Sequence, residues 1–412
     1  MIKPYRDCFG QMTACLGLLV LPPLLACSSP DAGPAAGASA GSGNVAGAGS
    51  GGSPATSAGT SSGGTNDAAG NGSAGSAGSA GTPSAAGTGG MAGAAGASGG
   101  AGGNAGGAAG GATGAWKCPA GPFASDPVPA GATAMEVAGL PPADDYREGQ
   151  EHIIEGPLWF DGALYVSQIT NVGLPPKARV LKLLNGAVSI VMDDAGTNGL
   201  AVDGMGQIHG GRHEDGSISK LSLAGPASAT PVVAKYDGKR FNSPNDLAFR
   251  SDGTLYFSDP DYQADPSDKQ PDTRVYRVAP GSTTAVVVDD SLNQPNGVTL
   301  SLDEKTLFVT HASGLRRYPV MADGSTGAGT AVPGGPAGDG MGMDCAGNLY
   351  VTGEGVTVLD PSGVKIDTIA IPVGWVTNVA FGGPERKTLY VTYLGDKAGL
   401  YKVELSVPGL PY

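Results

Sequence analysis

The sequence predicts an all-β fold, a six-bladed β-propeller, preceded by a disordered stalk rich in Gly, Ala and Ser. Six in-phase repeats begin at Glu155 and recur roughly every 45 residues, the length of a four-stranded propeller blade. No stretch of this region keeps a helical hydrophobic period over about 10 residues. An abrupt change of composition at Trp116 separates the stalk from the fold. An all-β sandwich is the alternative, and the in-phase repeats argue against it.

Residues 1–26 have the pattern of a lipoprotein signal peptide. Lys3 and Arg6 form a basic flank, and the apolar run at residues 15–25 is too short for a membrane-spanning helix. The run ends at Ala26-Cys27 like a bacterial lipobox, which predicts lipidation of Cys27; an ordinary cleaved signal with an incidental cysteine is the alternative. We therefore expect an extracytoplasmic bacterial lipoprotein, attached to a membrane of the cell envelope through its lipid anchor only.

Residues 27–115 are predicted to form a disordered linker. After Cys27 they consist almost wholly of Gly, Ala, Ser, Thr and Pro, with Asp31 and Asp67 as the only charged residues and no aromatic residue. Such a segment buries too little apolar surface to offset the entropy of ordering. Residues 116–412 are then the propeller domain, and they are numerous enough to bury one large core.

The charge and the cysteines limit the function classes. With 37 acidic and 24 basic residues, the chain would repel a nucleic acid backbone, so we expect a small-molecule substrate, no nucleic acid and a monomer. After removal of the signal and use of Cys27 as the anchor, Cys118 and Cys345 are left. Outside the cytoplasm they either pair as a disulfide, which we predict, or stay as buried free thiols.

Each repeat begins with an oxygen-bearing residue, continues as an apolar strand and a Gly turn, and ends in a second strand. The six openings are Glu155, Asn198, Asn245, Asn296, Asp339 and Asn378. The second strands are residues 163–166, 207–209, 254–257, 306–309, 348–351 and 388–391. Residues 133–138 are a candidate strand that completes the last blade and closes the ring.

The openings predict a cation site on the propeller axis. The first strand of a blade lies nearest the axis, so six equivalent openings direct six oxygen-bearing groups to one point. Two carboxylates and several amides, with no His or Cys, suit a hard cation such as Ca²⁺. The alternative is that these are strand-end turn residues with local hydrogen bonds.

Several stretches resemble the senescence-marker-protein (regucalcin)/gluconolactonase/LRE-like family of metal-dependent lactonases. The matching stretches are EGPLW from Glu155, NSPNDL from Asn242, PNGVTLSLDEKTLFV from Pro295, GDGMGMD from Gly338 and TNVAFGGPERKTLYVT from Thr377. The resemblance extends from Glu155 to about residue 405. It implies a six-bladed propeller that hydrolyses a sugar lactone such as gluconolactone, or a related ester.

The resemblance also implies roles for single residues. The metal ligands carry over onto Glu155, Asn245, Asn296 and Asp339, holding one divalent cation, with Ca²⁺ expected first and Zn²⁺, Mn²⁺ or Mg²⁺ as alternatives. Asp339 is also the implied general base. The two remaining openings, Asn198 and Asn378, are expected to bind substrate.

Two residues outside the openings are further candidates. His213 is a second candidate catalytic group, with a solvated loop histidine as the alternative. Arg240 precedes the NSPND stretch and is expected to hold a substrate hydroxyl or carboxylate, or else to be an exposed strand-end residue without a role.

Other reaction types find less support in the sequence. Gly-x-Ser-x-Gly is absent from the propeller region, as is a phosphate-binding loop. One competing hypothesis is a metal-stabilised, non-catalytic propeller that acts as a ligand-binding or interaction module. Another is a strictosidine-synthase-like six-bladed enzyme, which would not need the four-ligand metal site.

Overall fold

The computed structural model describes residues 116–142, 152–170, 173–397 and 399–410, and β-strands are the regular secondary structure of these ranges. The all-β prediction is confirmed. The predicted signal peptide, Cys27 and the linker to residue 115 lie outside the described residues. In the described ranges no helix has the length and apolar character needed to cross a membrane.

The 26 strands of the described ranges fall into six four-stranded antiparallel units, called blades 1 to 6 below, and one two-stranded hairpin. Blade 1 comprises β2 to β5: His152–Phe160, Ala163–Ile169, Ala178–Leu184 and Ala187–Met192. Blade 2 comprises β6 to β9: Thr197–Val202, Ile208–Arg212, Ser217–Ser222 and Ser228–Val233. The hairpin is β10 and β11, Lys235–Tyr236 and Lys239–Arg240.

The other blades follow in chain order, except that the last one borrows the first strand of the structure. Blade 3 comprises β12 to β15: Leu247–Phe249, Leu255–Asp259, Arg274–Val278 and Ala285–Asp289. Blade 4 comprises β16 to β19: Val298–Leu300, Thr306–His311, Gly314–Pro319 and Thr330–Ala331. Blade 5 comprises β20 to β23: Met341–Met343, Leu349–Thr352, Val356–Leu359 and Lys365–Ile369. Blade 6 comprises β24 to β26 and β1: Trp375–Gly382, Thr388–Gly395, Gly399–Glu404 and Met135–Gly139.

The first strands of successive blades contact one another in a closed ring. β2 contacts β6, and the series continues through β12, β16, β20 and β24 back to β2. Blades 1 and 6 are also joined by hydrogen bonding between β2 and β25, which merges them into one eight-stranded sheet. This arrangement is a β-propeller, with the first strand of every blade at the axis.

Two-residue turns close several of the hairpins. Asp161-Gly162 and Asn185-Gly186 connect the strands of blade 1, and both residues of each turn have positive φ, from 48° to 79°. Asx-Gly pairs favour this conformation because glycine has no Cβ and Asn or Asp tolerates the left-handed region. The turn chemistry therefore fixes the register of these strands.

The hydrophobic core lies between neighbouring blades. Separate clusters of buried side chains fill the spaces between adjacent blades; between blades 2 and 3, for example, Phe241 and Phe257 pack with Tyr276. The side chains alternate along each strand, so both faces of a blade contribute to a cluster. The openings are thereby held on rigid, packed strands.

The beginning and the end of the domain meet on the face of the propeller opposite the openings. Cys118 and Cys345 form a disulfide, and Cys345 lies in the turn between β20 and β21. The Arg386 guanidinium lies 5.2 Å from the centre of the Trp116 ring. β1 pairs with β26, as predicted for a strand that completes the last blade, although it begins at Met135 and not at residue 133.

Candidate active site

All six predicted openings are buried side chains on or just before the first strand of a blade. None exposes more than 6% of its surface. Glu155, Asn198 and Asn378 lie within β2, β6 and β24, whereas the other three lie two residues before the first residues of β12, β16 and β20. The repeats therefore place equivalent residues at equivalent positions around one end of the axis.

Backbone hydrogen bonds join neighbouring openings. Gly199 N donates to Asn245 O at 2.7 Å, Gly297 N donates to Asp339 O at 3.0 Å, and Gly340 N donates to Thr377 O at 2.7 Å. The glycine after an opening is needed because the next blade approaches closely. A Cβ on Gly297 would lie 2.6 Å from the Asp339 carbonyl oxygen.

Two of the openings are buried carboxyl groups with raised pKa values. Burial, followed by repulsion from Asp339 and Asp246, raises the pKa of Glu155 well above its ordinary value. Burial raises the pKa of Asp339 to about 7, although the hydrogen bond from Trp375 and the nearby polar side chain of Asn296 lower it. Burial is the largest cause of both shifts, and the repulsion of Glu155 by Asp339 indicates that the two carboxyl groups lie near each other.

Each of these carboxyl groups has one oxygen engaged and one without a partner. Asp339 Oδ2 accepts a hydrogen bond from Trp375 Nε1 at 2.8 Å, and Glu155 Oε2 accepts one from Gly156 N at 3.2 Å. Asp339 Oδ1 and Glu155 Oε1 are buried and have no hydrogen-bond partner in the described part of the chain. Buried polar atoms normally have a hydrogen-bond partner, so the lack of a partner at these two oxygens requires an explanation.

Several of the amide openings also have buried side-chain atoms without a hydrogen-bond partner. Both amide atoms of Asn198, and the side-chain nitrogens of Asn245 and Asn296, are buried without a hydrogen bond to any described residue. Asn378 differs, because its Oδ1 accepts from Val379 N at 2.8 Å and its hydrogen bond to Glu155 lowers the pKa of that carboxyl group. A half-turn of an amide group exchanges its oxygen and nitrogen, so these side chains can present an oxygen to the axis.

Unsatisfied carboxylate and amide groups around one point fit a hard divalent cation. Glu155 and Asp339 each contribute an unsatisfied oxygen, and Asn245 and Asn296 each have an unsatisfied amide nitrogen. Clusters of three or more His, Cys, Asp or Glu side chains suited to a metal do not occur within the described ranges. The six openings themselves comprise two carboxyl groups and four amides.

His213 is not joined to the axial group by any contact seen among the described residues, and it is fully buried, so the solvated-loop interpretation is wrong. Its Nε2 lies 2.8 Å from the Pro176 carbonyl oxygen. Since a carbonyl can only accept, Nε2 carries the proton and Nδ1 is a bare acceptor with no partner in those ranges. Burial lowers the pKa of His213 to about 4, so the ring is neutral near pH 7.

Arg240 supports the loop that carries His213. Its Nη2 donates to the His213 carbonyl at 2.7 Å, and its Nε donates to the Phe241 carbonyl at 3.2 Å. The side chain is half-buried and not the exposed strand-end residue that the sequence left as an alternative. Its described contacts are those of a residue that positions a loop.

Three features of the site were missed from the sequence. Asp246 is a third buried carboxyl group at the axis, and Trp375 holds Asp339 through its indole nitrogen. The third feature is a set of buried hydroxyl groups at the ends of second strands. These are Ser167, Ser258, Thr310, Thr352 and Thr392, each hydrogen-bonded to the first strand of its own or the next blade.

The sequence carries a signal for two of these three features. Asp246 directly follows the opening Asn245, and a Ser or Thr follows the apolar core of five second strands. No comparable signal marks Trp375, because its contact with Asp339 joins different blades.

The chain has relatives among proteins of known activity. The gluconolactonase of Zymomonas mobilis is 30% identical over 219 residues, which is 48% of this chain and 61% of that protein. Pentonolactonase XacC of Haloferax volcanii is 30% identical over 156 residues, 31% of this chain and 53% of that protein. The chain thus spans only about half to three fifths of these curated relatives.

A solved structure and a family profile extend the comparison. The structure of a gluconolactonase from Xanthomonas campestris matches with a TM-score of 0.54 at 27% identity, covering 70% of this chain and 98% of that one. The profile of the SMP-30/Gluconolactonase/LRE-like region matches residues 153–395, more than half of the 412 residues. The chain belongs to the SMP-30/gluconolactonase/LRE-like family.

Proposed function

We propose that this protein is a lactone hydrolase with its active site at the axial end marked by the six openings. The observation that carries the proposal is the pair of buried carboxyl groups, Glu155 and Asp339, each with one unsatisfied oxygen. Buried groups with shifted pKa values that converge on one point are typical of catalytic centres. Membership of the family, and relatives named as gluconolactonase and pentonolactonase, support a sugar lactone as the substrate.

A divalent cation is part of the proposal. Glu155, Asn245, Asn296 and Asp339 would hold it, and the oxygen-rich donor set favours Ca²⁺, with Zn²⁺, Mn²⁺ or Mg²⁺ as alternatives. When bound, the ion would polarise the lactone carbonyl and stabilise the oxyanion that forms during attack by water. The chain supplies the remaining functions, which are to orient the substrate and to move protons.

Asp339 is the proposed general base. Its Oδ2 is held by Trp375, and Oδ1 has two lone pairs, of which one would hold the cation and the other would take a proton from the attacking water. A carbon–oxygen bond forms between that water and the lactone carbonyl carbon. The ring ester bond then breaks, and the proton returns from Asp339 to the ring oxygen that leaves as a hydroxyl.

The other predicted residues receive supporting roles. Asn198 has both amide atoms unsatisfied, so it is proposed to bind substrate. Asn378 is proposed to hold Glu155, because its amide is already engaged with that carboxyl group and with Val379. His213 and Arg240 are proposed to shape the neighbouring loop, since their described contacts are with backbone carbonyl groups.

The competing function is a cation-stabilised propeller that binds a ligand without chemistry. Hydrolysis of gluconolactone and of a panel of other sugar and acyl lactones by the purified chain, with and without chelator, separates the two. We expect hydrolysis of a sugar lactone that chelator abolishes and that Asp339→Ala lacks. Cation binding without turnover of any lactone would favour the binding module.

We also propose that the protein is a lipoprotein outside the cytoplasm, anchored through Cys27. The disulfide between Cys118 and Cys345 supports an oxidising compartment. In the native host, Cys27→Ala should move the protein from the membrane fraction to the soluble fraction. An unchanged distribution would contradict the anchor.

A further inference from the structure

We propose that Asp246 is a positioning residue that sets the strand of Asn296 against that of Asn245. Both of these asparagines belong to the proposed cation site, so the inference rests on the proposed function. Asp246 is not proposed as a ligand, because both of its carboxylate oxygens already accept backbone hydrogen bonds. Its role would be to fix the distance and register between two neighbouring ligand positions.

The first argument is that Asp246 breaks the pattern of the repeats. Four of the six openings are followed by glycine, whereas Asn245 is followed by Asp246. At Gly199, Gly297 and Gly340 the backbone N–H donates to a backbone carbonyl of the next blade. Asp246 N instead donates to Ser258 Oγ in its own blade, at 3.1 Å.

The side chain of Asp246 makes the link to the next blade. Its Oδ2 accepts from Val298 N at 2.9 Å, two residues beyond Asn296, and its Oδ1 accepts from Leu247 N at 3.0 Å. One buried carboxylate thus ties the start of β12 to the start of β16. Asn245 and Asn296 lie two residues before the first residues of these two strands, so their separation depends on this link.

The chemistry requires a carboxylate at this position. An ionised carboxylate only accepts hydrogen bonds, and here two backbone N–H groups point at its two oxygens. In Asp246→Asn, one of these N–H groups would face an NH₂ group, leaving a buried donor without a partner. The strands should then shift relative to each other, although no proposed ligand has been removed.

Asp259 offers a matched control in the same blade. It is also a buried carboxylate that accepts two backbone hydrogen bonds, from Asn242 N at 3.0 Å and Ser243 N at 2.9 Å. These bonds stay within blade 3 and its leading loop, so they do not set the position of Asn296. Asp259→Asn should cost comparable stability and leave the link to blade 4 in place.

The test is calorimetric titration of CaCl₂ into the metal-free full chain. We expect Asp246→Asn to weaken Ca²⁺ binding by about 10- to 100-fold, the usual effect of losing a group that orients metal ligands. Asp259→Asn should change the affinity much less. Asp246→Gly introduces the residue found at four of the other five junctions, so it provides a second variant that should fold and should also bind Ca²⁺ more weakly.

A double-mutant cycle shows whether Asp246 acts through Asn296. The effects of Asp246→Asn and Asn296→Ala on Ca²⁺ affinity should be strongly non-additive, while Asp259→Asn and Asn296→Ala should be additive. Wild-type affinity in both Asp246 variants, or an additive cycle, would overturn the inference. Failure of the wild-type chain to bind any divalent cation would instead refute the proposed cation site.

Discussion

At the scale of single residues, the two oxygens of Asp339 have different tasks. Oδ2 is committed to the Trp375 indole, and Oδ1 has no partner among the described residues. This division fixes the carboxyl plane and directs one oxygen to the proposed reaction site. A general base that must be both buried and oriented needs such a donor.

Trp375→Phe tests this division. The substitution keeps an aromatic ring but removes the only donor of the side chain, so Asp339 should lose its fixed orientation. We expect kcat to fall by roughly 10- to 100-fold, the equivalent of one hydrogen bond to a charged group, with a smaller change in KM. Trp159→Phe is the control, because Trp159 stacks on Tyr390 and should leave kcat near the wild-type value. Equal effects of both variants would show that only aromatic packing matters.

Asp339 and Asn296 should respond differently to truncation. Asp339→Ala removes a charge and the proposed base, so turnover should be abolished even with excess cation. Asn296→Ala removes one neutral ligand, so its activity should be partly restored as the cation concentration is raised. Initial rates across a series of Ca²⁺ concentrations measure both. An active Asp339→Ala together with an Asn296→Ala beyond rescue would mean that the roles are misassigned.

At the scale of strands, the sequence predicted the first and second strands of the blades because their pattern is local. Each opening, apolar strand and Gly turn can be recognised within about 15 residues. The six openings then followed from the repeat, since equivalent positions in a propeller converge on the axis. Burial of all six agrees with this argument.

Contacts between blades could not be predicted in the same way. The roles of Asp246 and Trp375 depend on hydrogen bonds to residues 52 and 36 positions away, which no local pattern encodes. His213 was expected in or near the site, but its burial and its bond to Pro176 depend on how loops of blades 1 and 2 pack. Side-chain contacts between repeats require the three-dimensional structure.

Gly297→Ala tests the close approach of first strands. The added Cβ would lie 2.6 Å from the Asp339 carbonyl oxygen, so blades 4 and 5 would have to separate. We expect a loss of roughly 1–3 kcal/mol in the free energy of unfolding, as for other overpacked sites, and weaker cation binding. Gly139→Ala, where no heavy atom lies within 4 Å of the added Cβ, should unfold close to the wild-type temperature. Thermal unfolding compares the two variants. Equal melting temperatures would contradict the argument that the first strands of blades 4 and 5 are too close to accept a side chain at Gly297.

At the scale of the whole molecule, two separate strand pairings close the ring of blades. The pairing of β1 with β26 completes blade 6 from the beginning of the domain, and hydrogen bonds between β2 and β25 join blades 1 and 6. The Cys118–Cys345 disulfide then ties the leading segment to blade 5. These two strand pairings and the disulfide oppose the opening of the ring, which would expose the hydrophobic clusters between blades.

The disulfide should stabilise the fold without affecting the site. It closes a span of 227 residues, and the chain-entropy account gives up to about 4–5 kcal/mol for loops of this size, although measured gains are often smaller. The double variant Cys118→Ser, Cys345→Ser should therefore melt several degrees lower than the wild-type chain.

Reductant should lower the melting temperature of the wild-type chain and leave that of the double variant unchanged. Because Cys345 lies in the turn at the far end of β20 from Asp339, Ca²⁺ affinity and turnover at 25 °C should stay at wild-type values in the variant. Two free thiols in the denatured, unreduced wild-type chain would contradict the bond itself. A variant that melts normally but loses Ca²⁺ affinity would show instead that the two faces of the propeller are coupled.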